Sequence, residues 1–288
     1  MQLLAKDGIY IADFPRRIDV ARVPAGGRAD VMIRCASRGR VAVTSEGKLL
    51  STIAVSGEAR QSDPMAAWSP PRAAYLADLR DGSGSSRVDP SCSCETRFEV
   101  CAGSGIEGCV NGRRFAATEY IHAAPLGKVH ERRVGGLSEH PYHQHAHPFQ
   151  LFGGFQDATG YFKHGDWHDT WQDNAMAADQ RGVLRFRPVD FGGRMLVHCH
   201  WNLHQDDGMM ASELVGESDS GCACEAWLPA PAARPPVGGY APGSVRRLAP
   251  LVPPPLIHPR PPALPASSPS GLRRGRGRRR GRLLRRHR

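Results

Sequence analysis

The stretch His198-Cys199-His200-Trp201-Asn202-Leu203-His204-Gln205-Asp206-Asp207-Gly208-Met209-Met210 constrains this chain more than any other. A thiol, three imidazoles and two thioethers stand within thirteen residues, and soft sulfur and imidazole donors suit copper. Preceded by Arg194-Met195-Leu196-Val197, the segment reads as a β-strand, whose side chains point to opposite faces by turns. His198 and His200 then face one way and Cys199 the other. A sulfur on one metal would be joined through short covalent paths to imidazoles on others, which is wiring for electrons and points to an oxidoreductase.

Composition supports a folded core and narrows the setting. At 288 residues and 40% hydrophobic content the chain can build one or two domains. It has no run of about 18 apolar residues, so no transmembrane helix is expected. Met1-Gln2-Leu3-Leu4-Ala5-Lys6-Asp7-Gly8 is charged too early for a signal peptide. The net charge of +10 belongs to a tail: 14 arginines follow Glu225 with no Asp, Glu or Lys, and setting them aside leaves −4. Such a tail could attract nucleic acid or an anionic membrane. It lacks interleaved aromatics to stack bases, so a solvated extension is the expectation.

Six of the eight cysteines cluster as Cys92, Cys94, Cys101 and Cys109, and as Cys222 and Cys224; Cys35 and Cys199 stand apart. Disulfides stapling the two ends of a domain are expected, in a pairing the sequence leaves open. The rival is a zinc site, to which Cys-x-Cys is a poor match.

Residues 1–60 alternate short β-prone runs (Ile9-Tyr10-Ile11, Ile18-Asp19-Val20, Ala29 to Cys35, Val41-Ala42-Val43) with turns, too few to close a sandwich. Residues 61–95 read as a linker with one helical turn near Arg72 to Arg80. From 96 to 228, strands are expected at Arg97 to Cys101, His147 to Phe152, Val183 to Arg187 and Arg194 to Trp201, with a turn at Asn111-Gly112. These predict an all-β, antiparallel Greek-key β-sandwich. Residues 229–288, rich in Pro, Ala, Arg and Gly, are expected to be disordered.

A second histidine-rich stretch is His140-Pro141-Tyr142-His143-Gln144-His145-Ala146-His147-Pro148-Phe149. His143 and His145 share a face if the segment is extended, and His140, set off by a proline, can turn to a different centre. Together the two stretches resemble the C-terminal domain of the multicopper oxidases, the laccase-like family of cupredoxin folds. The family pattern His-Pro-x-His-x-His-Gly-His-x-Phe is met from His140 to Phe149 with Ala146 in place of glycine. The closing pattern His-Cys-His-x3-His-x4-Met is met by His198, Cys199, His200, His204 and Met209. The likeness extends through Gly165-Asp166-Trp167-His168-Asp169-Thr170 and Phe191-Gly192-Gly193, and residues 1–35 look like the end of the family's middle cupredoxin domain.

The resemblance implies one complete cupredoxin-type domain plus a partial one, copper as cofactor, and a division of ligands. His140, Cys199 and His204 would hold a type 1 copper with Met209 as a long axial ligand. His143 would bind a type 2 copper, and His145, His198 and His200 a type 3 pair. In the family, electrons from a small phenolic or metal-ion reductant enter at type 1 and pass through Cys199, His198 and His200 to a trinuclear cluster that reduces dioxygen to water. That cluster needs two further His-x-His pairs. Among the 13 histidines, pairs two apart are His143/His145, His145/His147 and His198/His200, whereas His122, His130, His164, His168, His258 and His287 stand alone. The missing half is expected from a longer gene product, from an N-terminal cupredoxin domain or from another chain. Without it, the alternatives are an electron-transfer module using type 1 copper alone, or an inactive fragment.

Three smaller expectations follow. His147 is usually not a ligand in the family pattern, and His164, His168 and Met195 are read as packing or surface residues. Many relatives carry an acid directly after the type 1 histidine, where this chain has Gln205. Asp206 and Asp207 are either substitutes in proton relay or solvated loop acids. The family and the clustered cysteines point to export, although no signal peptide is visible.

Overall fold

A computed structural model describes residues 1–229 apart from 59–63, 104, 106, 217–219 and 226. The expectation of a disordered tail falls almost wholly on 230–288, outside the described residues. The described chain is nearly all β, with one short helix at Asn202–Asp206, and no helix in it is long and apolar enough to cross a membrane.

Two sheets form the main body. One orders His122–Ala123, Met210–Val215, Gly193–Cys199, Tyr142–Gln144 and Thr170–Trp171. The other orders Trp167–His168, Phe149–Gly153, Arg181–Phe186, Val129–Gly135, Val88–Val100 and Gly108–Val110. Alternation explains their cohesion: Met195, Val197 and Cys199 are buried at every second position of one strand, and Cys92, Cys94, Thr96 and Phe98 at every second position of another. Residues of both sheets, among them Phe98, Tyr142, Phe149, Trp171, Leu184 and Val197, join one buried cluster. Each fully buried large apolar side chain contributes about 1.5–3 kcal/mol over exposure.

The cupredoxin-type sandwich is as expected, but its pairing is not purely antiparallel. Val129–Gly135 runs parallel to Val88–Val100, and His122–Ala123 parallel to Met210–Val215. The central strand Val129–Gly135 also lay outside the predicted strands, because Val-His-Glu-Arg-Arg-Val-Gly does not read as core. Arg132 is nonetheless fully buried, and its guanidinium donates to Glu213 at 2.6 and 3.2 Å. An ion pair between the two sheets replaces an apolar contact there.

Near the N-terminus, Gln2–Lys6 pairs with Ile9–Tyr10, Arg16–Arg17 and Ala29–Met32. The strand predicted at Ile18-Asp19-Val20 falls instead at Arg16–Arg17, while Ile18 is buried as a core residue. Leu3, Ile11, Phe14 and Ile18 share the core of the main sandwich. Gly39–Ser45 and Lys48–Val55 form a separate hairpin. Within 61–95, 3-10 turns span Ala74–Leu76 and Gly84–Ser86, Leu76 and Leu79 are buried with Val129 and Trp167, and the strand Val88–Val100 begins.

Charge fastens the N-terminal strands. Asp166, 2% exposed, accepts from Lys6 Nζ at 2.5 Å and from both terminal nitrogens of Arg16 at 2.7 and 2.8 Å. Burial opposes ionisation of Asp166, but the Arg16 hydrogen bonds and the nearby Lys6 charge overcome it and hold the carboxyl well below the usual carboxylate range. The cysteines pair as Cys92–Cys222, Cys94–Cys224 and Cys101–Cys109, the first two closing 130 residues each. Cys35 and Cys199 are free thiols.

Candidate metal centre

The strand Gly193–Cys199 divides the candidate ligands between its faces. On one side, His140 Nδ1 and His204 Nδ1 lie 3.1 Å apart, and Cys199 Sγ is 3.9 Å from each. Metal–nitrogen and metal–sulfur bonds of about 2.0 and 2.3 Å leave donor atoms about 3–4 Å apart, so the three converge on one ion-sized point. Local sequence sets this up. Pro141 separates His140 from the strand Tyr142–Gln144, and the helix Asn202–Asp206 carries His204 back over Cys199. The Cys199 N–H donates to the Met209 carbonyl at 3.1 Å, and the Met209 N–H to the His204 carbonyl at 2.9 Å, which closes the loop around the thiol. Cys199 and Met209 are fully buried and His140 is 4% exposed, with His204 partly open beside exposed Trp201 and Leu203.

On the other side, His143, His145 and His198 bring one nitrogen each within 4.8 Å of one another. His145 Nε2 and His198 Nε2 are 3.0 Å apart. His200 stands beside them, its ring centroid 5.1 Å from that of His143 and 5.5 Å from that of His198. Hydrogen bonds fix which nitrogen is offered. His198 Nδ1 lies 3.0 Å from the Cys199 carbonyl and His143 Nδ1 2.9 Å from the Asp169 carbonyl, acceptors that demand a proton on Nδ1. Nε2 of each keeps its lone pair for a metal. The Thr170 hydroxyl, 2.9 Å from His143 Nδ1, donates to Asp169 Oδ1, and Arg28 grips the Asp169 carboxylate at 2.9 and 2.6 Å.

Burial tunes the donors. It holds His140 and His198 down at about 4 and also lowers His143 and His145, so these imidazoles are neutral, the form that ligates. Burial pushes the Cys199 thiol up to about 11, so a metal must displace its proton. Soft thiol plus imidazole on one face, and imidazole alone on the other, fit copper.

The remaining sequence candidates fall outside both clusters. His147 is buried with Nε2 3.0 Å from the Phe191 carbonyl, His168 Nδ1 lies 3.2 Å from Asp7 Oδ2, and the His164 ring packs on Phe152. Met195 is core. Asp206 ends the short helix and Asp207 caps it.

Several contacts that shape the site carried no readable signal. A Cβ on Gly26, which has φ +79°, would run into the His200 ring, and one on Gly108 into Met209. Asp7, His143, His145, Asp169, Arg187 and Phe191 line a cavity of about 520 Å³ that opens on the histidine-only face. Gly26 was legible as a turn, but its approach to His200 spans 174 positions.

Residues 91–219 match the family model described as multicopper oxidase. Over 81 residues the chain is 32% identical to the iron transport multicopper oxidase of Schizosaccharomyces pombe, covering 26% of this chain and 13% of that protein. The fold is like that of the multi-copper oxidase from Pediococcus acidilactici, with TM-score 0.56 and 18% identity over 76% of this chain and 44% of that one. It is also like the multi-copper oxidase from Pseudomonas thermotolerans, with TM-score 0.55 and 20% identity over 75% of this chain and 49% of that one. The chain thus spans about half the length of these solved structures and a smaller share of the fungal protein. The family match lies over both ligand-bearing stretches, and the fold likeness extends beyond it to about three quarters of the chain.

Proposed function

We propose that this chain supplies the electron-entry half of a laccase-like oxidase, which couples one-electron oxidation of a small phenol or metal ion to reduction of dioxygen to water. In this reading His140, Cys199, His204 and Met209 would hold a type 1 copper, His143 a type 2 copper, and His145, His198 and His200 part of a type 3 pair. Copper bound at such sites cycles between two oxidation states and so accepts and passes single electrons. The observation that carries the reading is the opposed placement of Cys199 and His198 on adjacent positions of one strand. One peptide unit separates the two clusters. Buried Cys199 and Met209 exclude water from one centre, and the Asp169 carbonyl and Thr170 hydroxyl orient His143 toward the other.

The seven residues other than Met209 include four of the histidines that a trinuclear cluster uses, so turnover is proposed only when two further His-x-His pairs are supplied. A reading as an electron-transfer module is favoured by that same count of histidines. Copper loading separates the two. An intense blue thiolate-to-copper band, lost in Cys199→Ser, supports type 1 copper, and a band that survives the substitution overturns it. Dioxygen uptake with a phenol or Fe(II), seen only after adding a cupredoxin domain that carries the two pairs, supports the oxidase. A blue chain that consumes no dioxygen even then is the electron-transfer module.

A further inference from the structure

Away from the candidate centre, two nearly equivalent clusters join a cysteine pair to a buried histidine: Cys92, Cys222 and His130, and Cys94, Cys224 and His122. In each, one donor atom per residue lies within 4.8 Å of the others. Strand geometry makes the pairing, since Cys92 and Cys94 share a face of Val88–Val100 and that strand lies beside Val129–Gly135.

Hydrogen bonding makes the two clusters different. The Glu225 N–H donates to His122 Nδ1 at 3.0 Å, so the ring proton is on Nε2, 3.1 Å from Thr96 Oγ1. Both nitrogens of His122 are occupied. His130 Nε2 lies 3.0 Å from the Pro125 carbonyl, which can only accept, so the proton is again on Nε2. Its Nδ1 carries a free lone pair and faces Cys222 Sγ at 3.9 Å. A disulfide sulfur has no proton to offer that nitrogen. The ring is held by the Pro125 bond and by stacking on Phe186, centroids 5.2 Å apart at 30°. Donation of the second ring nitrogen to a backbone carbonyl is how protein histidines are aimed at metals.

We propose that Cys92, Cys222 and His130, once their disulfide is reduced, form a three-ligand site for Cu(I), while Cys94, Cys224 and His122 remain structural. Two thiolates and one imidazole suit a soft monovalent ion that accepts three ligands, whereas structural zinc takes four. The step balances with a phosphine as reductant. The S–S bond breaks, the phosphine takes an oxygen from water to become its oxide, and two thiols result. Each thiol releases its proton as its sulfur binds Cu(I), and Nδ1 binds through its lone pair without proton loss.

The test is anaerobic titration of the full chain with Cu(I) against a chromophoric Cu(I) chelator, before and after phosphine treatment. The reduced chain is expected to bind one more Cu(I) than the untreated chain, with X-ray absorption of the added metal showing two sulfurs and one nitrogen. Cys222→Ser removes the extra equivalent, His130→Gln weakens it at least ~10-fold, and His122→Gln and Cys224→Ser leave it. Cys222 is only partly buried, so its serine variant keeps the test open if His130→Gln fails to fold. No extra equivalent on reduction overturns the site, as does equal loss in Cys222→Ser and Cys224→Ser, or displacement of the added Cu(I) by stoichiometric Zn(II). The blue Cu(II) band of Cys199 is a separate readout, so this proposal and the oxidase reading fail independently.

Discussion

The two faces of the strand Gly193–Cys199 carry similar donors in opposite settings. Toward His140 and His204 the cluster is closed: Cys199 and Met209 are buried, and its members come from His140 and a single segment ending at Met209. Toward His143 and His145 it is open. His145 is exposed, and a cavity of about 520 Å³ lies against it. The difference teaches that exposure can diverge where ancestry in the chain does not: both clusters draw on residues 140–145 and 198–209, and only one is walled off from solvent.

Removing the anchor beside the open face should have the largest effect. Asp166→Asn strands Lys6 and Arg16 as buried charges and should cost about 3–5 kcal/mol, read by urea denaturation. The strands it releases flank the turn at Asp7, which borders the cavity, so metal affinity should fall on the open face and hold on the closed one. A loss under about 1 kcal/mol would show that the N-terminal strands are not held by this cluster.

Acid should act through the same carboxylate. Its native value is depressed, so the stability it contributes is present above the unfolded carboxyl value of about 3.9 and is lost as pH falls through the native value. Unfolding free energy of the wild type should therefore fall below about pH 4 more steeply than that of Asp166→Asn. Parallel curves for the two proteins would remove Asp166 from the account.

Smaller effects should separate the faces directly. Thr170→Val deletes one of the two acceptors for His143 Nδ1 and should weaken metal binding on the open face by about 10-fold, leaving the blue band of the closed face unmoved. A shifted blue band in this variant would mean that the faces are not independent. Smallest is Met209→Leu, a near-isosteric change that should cost less than about 1.5 kcal/mol. It should retain blue copper while changing its reduction potential, since the axial ligand tunes such sites. An unchanged potential would argue against Met209 as a ligand.

This contrast also explains what the sequence made legible. The cluster at Cys199 could be read because alternation sets the thiol opposite its flanking histidines and the resemblance to the multicopper oxidases implies His140, His204 and Met209 beside it, and the β-sandwich because turns punctuate short apolar runs. What could not be read depends on long reach or on charge in unlikely places. The Cys92–Cys222 pairing closes 130 residues. Val129–Gly135 hid a central strand behind Arg132, whose partner Glu213 lies 81 positions away. Lys6, Arg16 and Asp166 each look like surface residues until they are seen together, and the parallel strand pairs leave no local pattern.

The grip of Arg28 on Asp169 has a consequence reaching past the carboxylate. The guanidinium directs its N–H groups at that carboxylate, which accepts the Thr170 hydroxyl proton, and this leaves the Thr170 oxygen free to accept from His143 Nδ1. The His143 and Thr170 protons point outward from the cluster and those of Arg28 point inward, and the Asp169 carboxylate is where they meet. A permanent cation at the protein surface thus reinforces, three groups away, the histidine tautomer that the Asp169 carbonyl also requires, and with it which nitrogen can meet a metal.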